Sequence, residues 1–204
     1  MNIVTNRKKQ PAPGTEGDTP RSSKSGRRLV AGAALAVAAL LAGTQLATAD
    51  PLQPPDVPEA IAVPAGEVLA SVGHAQGFQI YTCQSQATGF GWALLQPMAV
   101  LLQEGHKPFA LHYGGPSWTA MDGSTVVATK VGSAPAPSGT AIPWLRLTAT
   151  SKSGPAGGTF TSTTSIQRIN TTGGLAPTTG CDADHVGTTQ PVFYTADYYF
   201  YRAG

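Results

Sequence analysis

From residue 66 to the C-terminus, no long window of the chain places apolar residues at i, i+3, i+4 and i+7. Gly, Pro, Thr and Ser recur too often to allow it. An amphipathic helix needs that spacing to lay an apolar stripe against a core, so helices are not the building element here. Strands need only alternation, or a short apolar run bounded by turn residues. VLASVGH (68–74) and FQIYTC (78–83) flank Ala75-Gln76-Gly77, which reads as a hairpin. FGWALLQ (90–96) and AVLLQ (99–103) follow, with Pro97 marking an edge or bulge between them. PFALHY (108–113), STVVATKV (124–131) and the Thr-rich TFTSTTSIQRIN (159–170) are β-prone. IPWLRLTAT (142–150) sets Leu145, Leu147 and Ala149 against Arg146, Thr148 and Thr150, the period of a half-buried strand. VFYTADYYFYR (192–202) closes the chain with aromatics on both faces, while GSAPAPSG (132–139) and SGPAGG (153–158) are loops. The expectation is an all-β single domain, an antiparallel β-sandwich or barrel of about eight short strands, with no internal repeat.

The N-terminal segment is of another kind. Residues 1–28 are polar and basic, Leu29 to Gly43 are apolar, and Ala47-Thr48-Ala49 supplies a small-residue cleavage site. This is the pattern of a signal peptide over residues 1–49, and its apolar core falls short of the roughly 20 residues that span a bilayer. Cleavage leaves residues 50–204, expected to be secreted or at the cell surface with no stable membrane anchor. It also changes the charge. Seven of the 13 Lys and Arg precede residue 50, against two of the 11 acids, so six basic and nine acidic groups remain and the net charge is −3 rather than +2. Nucleic acid is therefore not an expected partner. Residues 50–65 hold five prolines and read as an extended arm or linker, with the folded domain over 66–204.

Both cysteines, Cys83 and Cys181, follow the cleavage site. Export brings them to an oxidising compartment, where an intramolecular disulfide is the natural reading. Two free thiols or a redox pair are the alternatives, the latter without a C-x-x-C to support it.

LHYGGPSWTAMDGS (111–124) concentrates His112, Tyr113, Trp118 and Asp122 around glycines and a proline. One reading is a bent corner between strands, with Tyr113 and Trp118 in the core. The other exposes these aromatics beside His112 and Asp122, an arrangement suited to a sugar or another small molecule. No two of His74, His106, His112 and His185 sit at a metal-binding spacing. CDADH (181–185) offers a D-x-D pair for a hard cation but lacks the rest of a Ca²⁺ loop, and reads better as a polar turn beside the disulfide. Ser117 does not sit in a nucleophile elbow. His112 and Asp122 could act as base and orienter, and Asp122 with Asp197 is the carboxylate pair to test for glycoside hydrolysis. Arg168 and Asp197, each within a strand pattern, are expected to form a structural ion pair if both face inward, the alternative being Arg168 as an anion clamp. Glycine-rich nucleotide loops are absent, so no cofactor is expected.

GFQIYTC (77–83), HYGGPSW (112–118) with MDGS (121–124), IPWLRL (142–147), IQRINTTGG (166–174), GCDADHVG (180–187) and YTADYYFYR (194–202) together resemble the secreted bacterial and fungal proteins grouped as domain of unknown function 3455. The likeness runs over residues 64–202. It implies an exported single domain and places Cys83 and Cys181 inside shared motifs, but it carries no biochemical function. The expected role is a non-catalytic extracellular or cell-surface binding module, with the HYGGPSW corner facing a small-molecule or glycan ligand or a protein partner. A secreted hydrolase using His112 and Asp122, and a structural envelope protein, are the alternatives.

Overall fold

The structure, a computed structural model, describes residues 52–204; the segment read as a signal peptide, 1–49, lies outside the described residues. Eight antiparallel strands make the fold: β1 Glu67–Gln86, β2 Gly89–Gln103, β3 Lys107–Tyr113, β4 Ser117–Ala120, β5 Thr125–Ala134, β6 Trp144–Ser153, β7 Thr163–Gly173 and β8 Thr189–Ala203. Each pairs with the next, and β8 returns along β1, from Ala203 opposite Glu67 to Thr189 opposite Thr82. The sheet closes into a barrel, which removes every free edge. The all-β class holds, and of sandwich and barrel it is the barrel. Helical structure among the described residues is confined to three single turns of 3-10 helix, Glu59–Ile61, Glu104–His106 and Ala183–His185.

Two expected breaks are absent. Ala75-Gln76-Gly77 is not a hairpin turn but the middle of β1. Its small residues serve packing: a Cβ on Gly77 would collide with the Met98 carbonyl oxygen in β2. Pro97 does not interrupt β2 either, and pairs with Gln79. The strand tolerates it because a bulge lies just before, where Gln96 opposes Ile80 and Leu94 opposes Tyr81, leaving Leu95 unpaired. Conversely Ser117–Ala120, read as part of a corner, is a short strand that buries Trp118 and Ala120. β5 runs on through Gly132 to Ala134, into the segment read as a loop, with another bulge between Lys130 and Gly132.

Alternation decides what faces inward. In β8, Tyr194, Ala196, Tyr198 and Phe200 enter the main core, while Asp197 and Tyr199 point to the other side of the sheet. One end of the interior is filled with aromatics. Phe160 lies 4.5 Å from Phe200 and 5.5 Å from Phe109, centroid to centroid, beside Val126 and Leu101. Each such side chain contributes about 1.5–3 kcal/mol when fully buried. Outside the barrel, the proline-rich segment packs on β5 to β7. Ile61 is fully buried with Ala134 and Ile169, and Gln167 Nε2 donates to the Ile61 carbonyl at 2.7 Å. A disulfide joins Cys83 to Cys181 and pins the excursion between β7 and β8 onto β1. Two backbone bonds reinforce it, from Gly187 N to the Cys83 carbonyl at 2.9 Å and from Cys83 N to the Thr188 carbonyl at 3.0 Å.

Candidate functional site

The end of the barrel opposite the phenylalanine cluster is organised by the turn between β3 and β4. Gly115 has φ +119°, a conformation side chains rarely adopt, and this lets the chain reverse within Gly114-Gly115-Pro116. Reversal puts His112 directly across from Trp118. Their rings stack at 4.3 Å with 4° between planes. Tyr198, from β8, meets both edge-on, at 5.1 Å from His112 and 5.5 Å from Trp118. His112 Nδ1 lies 2.9 Å from the Ser117 carbonyl. A carbonyl only accepts, so Nδ1 carries the proton and Nε2 keeps its lone pair. Burial pushes the imidazole pKa down to about 3, with the Arg168 charge acting in the same direction against the Ser117 hydrogen bond. The ring is neutral at physiological pH.

These rings floor a cavity of about 400 Å³. Leu145, Leu147 and Ala128 form apolar wall, and Leu94 and Leu95 lie at the rim with the Gly114-Gly115-Pro116 turn. Three bulges fall among the strands that line the cavity, at Leu95, at Thr150 and between Lys130 and Gly132, where they re-aim side chains that strict alternation would send elsewhere. Two cations line the cavity, Arg168 on the inner wall and Lys130 exposed at the opening. Arg168 faces Tyr198 on one side and Leu145 on the other, and donates through Nε and Nη2 to the Pro143 carbonyl at 3.2 and 2.7 Å. Its charge partly counters the rise that burial imposes on the Tyr198 hydroxyl. Among the described residues, no carboxylate lines the cavity. Gln79, 2% exposed, also lines it, close to the Tyr194 hydroxyl but without a hydrogen bond of good geometry. Its Nε2 and the Trp118 Nε1 have no hydrogen-bond partner among the described residues.

Of the four residues singled out in the sequence, the structure brings two together here, His112 and Trp118. Tyr113 stands on the outer face, 41% exposed, with its hydroxyl 2.8 Å from Thr119 Oγ1. Asp122 belongs to the β4–β5 turn, where it accepts from Ser124 N and Oγ and from Thr159 N and Oγ1 at 2.6–2.8 Å. These hydrogen bonds, the Ser124 hydroxyl first, hold its carboxyl well below the usual range. Asp122 is thus engaged by a loop, and His112 is oriented by Ser117, not by Asp122.

The expected ion pair between Arg168 and Asp197 is not formed. Asp197 opposes Ile169, on the outward parity, and binds His74 Nδ1 at 2.6 Å and Asn170 Nδ2 at 2.8 Å. Arg168 opposes Tyr198, on the inward parity. Adjacent registers in paired strands point to opposite faces, and that alone separates the two charges. Asp182 of CDADH accepts from His185 Nδ1 and Asp184 N, and no group of three or more His, Cys, Asp or Glu able to hold a metal occurs among the described residues. Sequence reasoning missed Gln79, Lys130 and Tyr198 as parts of the site. The available signal for Arg168 was its two-residue spacing from the apolar Ile166 in IQRIN.

Fold and site together define a class: a small closed antiparallel barrel, plugged with aromatics at one end and open at the other into a cavity lined by apolar side chains and two cations. The chain belongs to the family described as protein of unknown function (DUF3455), whose model matches residues 64–202. No curated protein and no solved structure matches it.

Proposed function

We propose that this is an exported, non-catalytic binding protein that admits a small ligand into the open end of the barrel, onto the His112–Trp118–Tyr198 floor. One observation carries the reading: the cavity is bordered by donors the fold leaves unused. Buried polar groups cost free energy when unpaired, about 1–3 kcal/mol each, and proteins place them where something else satisfies them. A cavity near 400 Å³ falls in the range of small-molecule sites, with the usual apolar lining and few polar groups. Export is supported by the basic-then-apolar N-terminal segment and is compatible with the disulfide.

The reading is tested by titrating small molecules into ¹⁵N-labelled protein and following the backbone amides of His112, Thr129 and Leu147 and the Trp118 indole N–H. Binding in the cavity shifts these signals together and raises the melting temperature. Shifts confined to the outer strand faces would refute it, as would substrate turnover that disappears in His112→Ala.

A further inference from the structure

The composition of the cavity restricts what enters it. The part of the chain read as mature carries net charge −3, yet the charged residues that line the cavity among the described residues, Arg168 and Lys130, are cationic. The acid on the neighbouring strand is committed elsewhere: Asp197 faces outward to His74 and Asn170. A guanidinium has five N–H donors in a planar fork; Pro143 occupies two of them, and the Tyr198 hydroxyl lies close enough to engage another. The remainder, with Gln79 Nε2, form a donor-rich side of the cavity. The rest of the lining is hydrocarbon, from Leu145, Leu147 and Ala128, and the aromatic floor.

We infer that the ligand is an amphipathic monoanion, a carboxylate on an apolar body, with its carboxylate on Arg168 and its apolar part over the His112–Trp118 stack. The inference rests on the binding function proposed above and names the ligand class of that same cavity. Several observations favour one negative charge. A single guanidinium lies on the inner wall, and the second cation stands at the solvent-exposed opening, where it draws anions in more than it fixes them. Arg suits the fixed position because its fork matches the two oxygens of a carboxylate, a geometry an ammonium does not reproduce. His112, held neutral, contributes a flat uncharged surface and adds no further positive charge.

The test uses 2-naphthoate and its isosteric uncharged counterpart 2-naphthamide, titrated into the mature chain by calorimetry and by the Trp118 indole N–H resonance. Naphthoate is expected to bind at least tenfold more tightly than naphthamide. Arg168→Gln should abolish that preference, and Arg168→Lys should keep part of it. Equal affinity for the two probes in the unmodified protein, with both shifting Trp118, overturns the anion inference and leaves the binding function standing. Failure of both probes to bind or move Trp118 at millimolar concentration overturns the two together. If Arg168→Gln does not fold, the preference in the unmodified protein and its decline from low to high salt decide the question. A salt-independent preference counts against a charge contact.

Discussion

The ring of His112 gives its one proton to the Ser117 carbonyl and is packed between Trp118 and Tyr198, so a second proton has nowhere favourable to go. In the unfolded chain the same imidazole titrates near 6.5; in the barrel it titrates near 3. Between those values the unfolded state binds more protons, so stability rises with pH across the window and is lost as the pH falls through it. From pH 7 to pH 4 the loss from this residue is roughly 3 kcal/mol, at 1.36 kcal/mol per unit. Urea unfolding at the two pH values should show it, and His112→Gln should remove most of the difference. A pH response unchanged in that variant would assign the acid sensitivity to another group. His112 and Trp118 were legible as chemistry-bearing residues because a turn of two glycines and a proline brings them face to face. Arg168 was also singled out, but the choice between an ion pair with Asp197 and an anion clamp was not legible, since it depends on which face of β7 the residue occupies. With aromatics on both sides of β8 the sequence does not say which parity is inward.

Between strands, two contacts hold elements that the hydrogen-bonded sheet does not. Asp122 ties the β4–β5 turn to the loop before β7 through four donors. Asp122→Ala frees them all, lowers the melting temperature and speeds amide exchange at Ser124, Thr159 and Phe160. Unchanged exchange at Thr159 would mean the loop is held by other contacts. Gly132 holds the proline-rich arm close to β5: a Cβ there would collide with the Ala60 carbonyl oxygen. Gly132→Ala should lift residues 57–61, expose Ile61 and cost about 1–3 kcal/mol, the range for forced overpacking. Faster proteolysis within 57–66 reports it directly, and an unaltered cleavage rate would sink the idea. Much of the strand content was legible, because alternation in 142–150 and apolar runs elsewhere state it plainly. The boundaries were not. Small residues read as turns at 75–77 and a proline read as a break at 97 serve packing and bulge geometry in long strands, and only the partner strand distinguishes those uses.

For the molecule as a whole, the disulfide and the closure of the barrel answer the same difficulty, since so many contacts join residues far apart in sequence. Cys83 and Cys181 are 98 positions apart. Linking them removes about 4–5 kcal/mol of unfolded-state entropy in the chain model. Reduction should lower unfolding free energy by a comparable amount, measured in denaturant with and without a phosphine reductant; a change below about 1 kcal/mol would show that native strain or residual structure cancels it. An antiparallel sandwich or barrel was foreseeable in the strand count, but not the closure, which depends on 15 residues at the C-terminal end finding β1 near the start of the domain. That closure has a consequence in time. Until β8 has been made, β1 and β7 are both unpaired along one side, and Arg168 has no Tyr198 beside it. Pairings of such long range form slowly. No chain that lacks β8 can therefore hold the cavity: the barrel closes and the cavity takes shape in one step, when the last strand arrives.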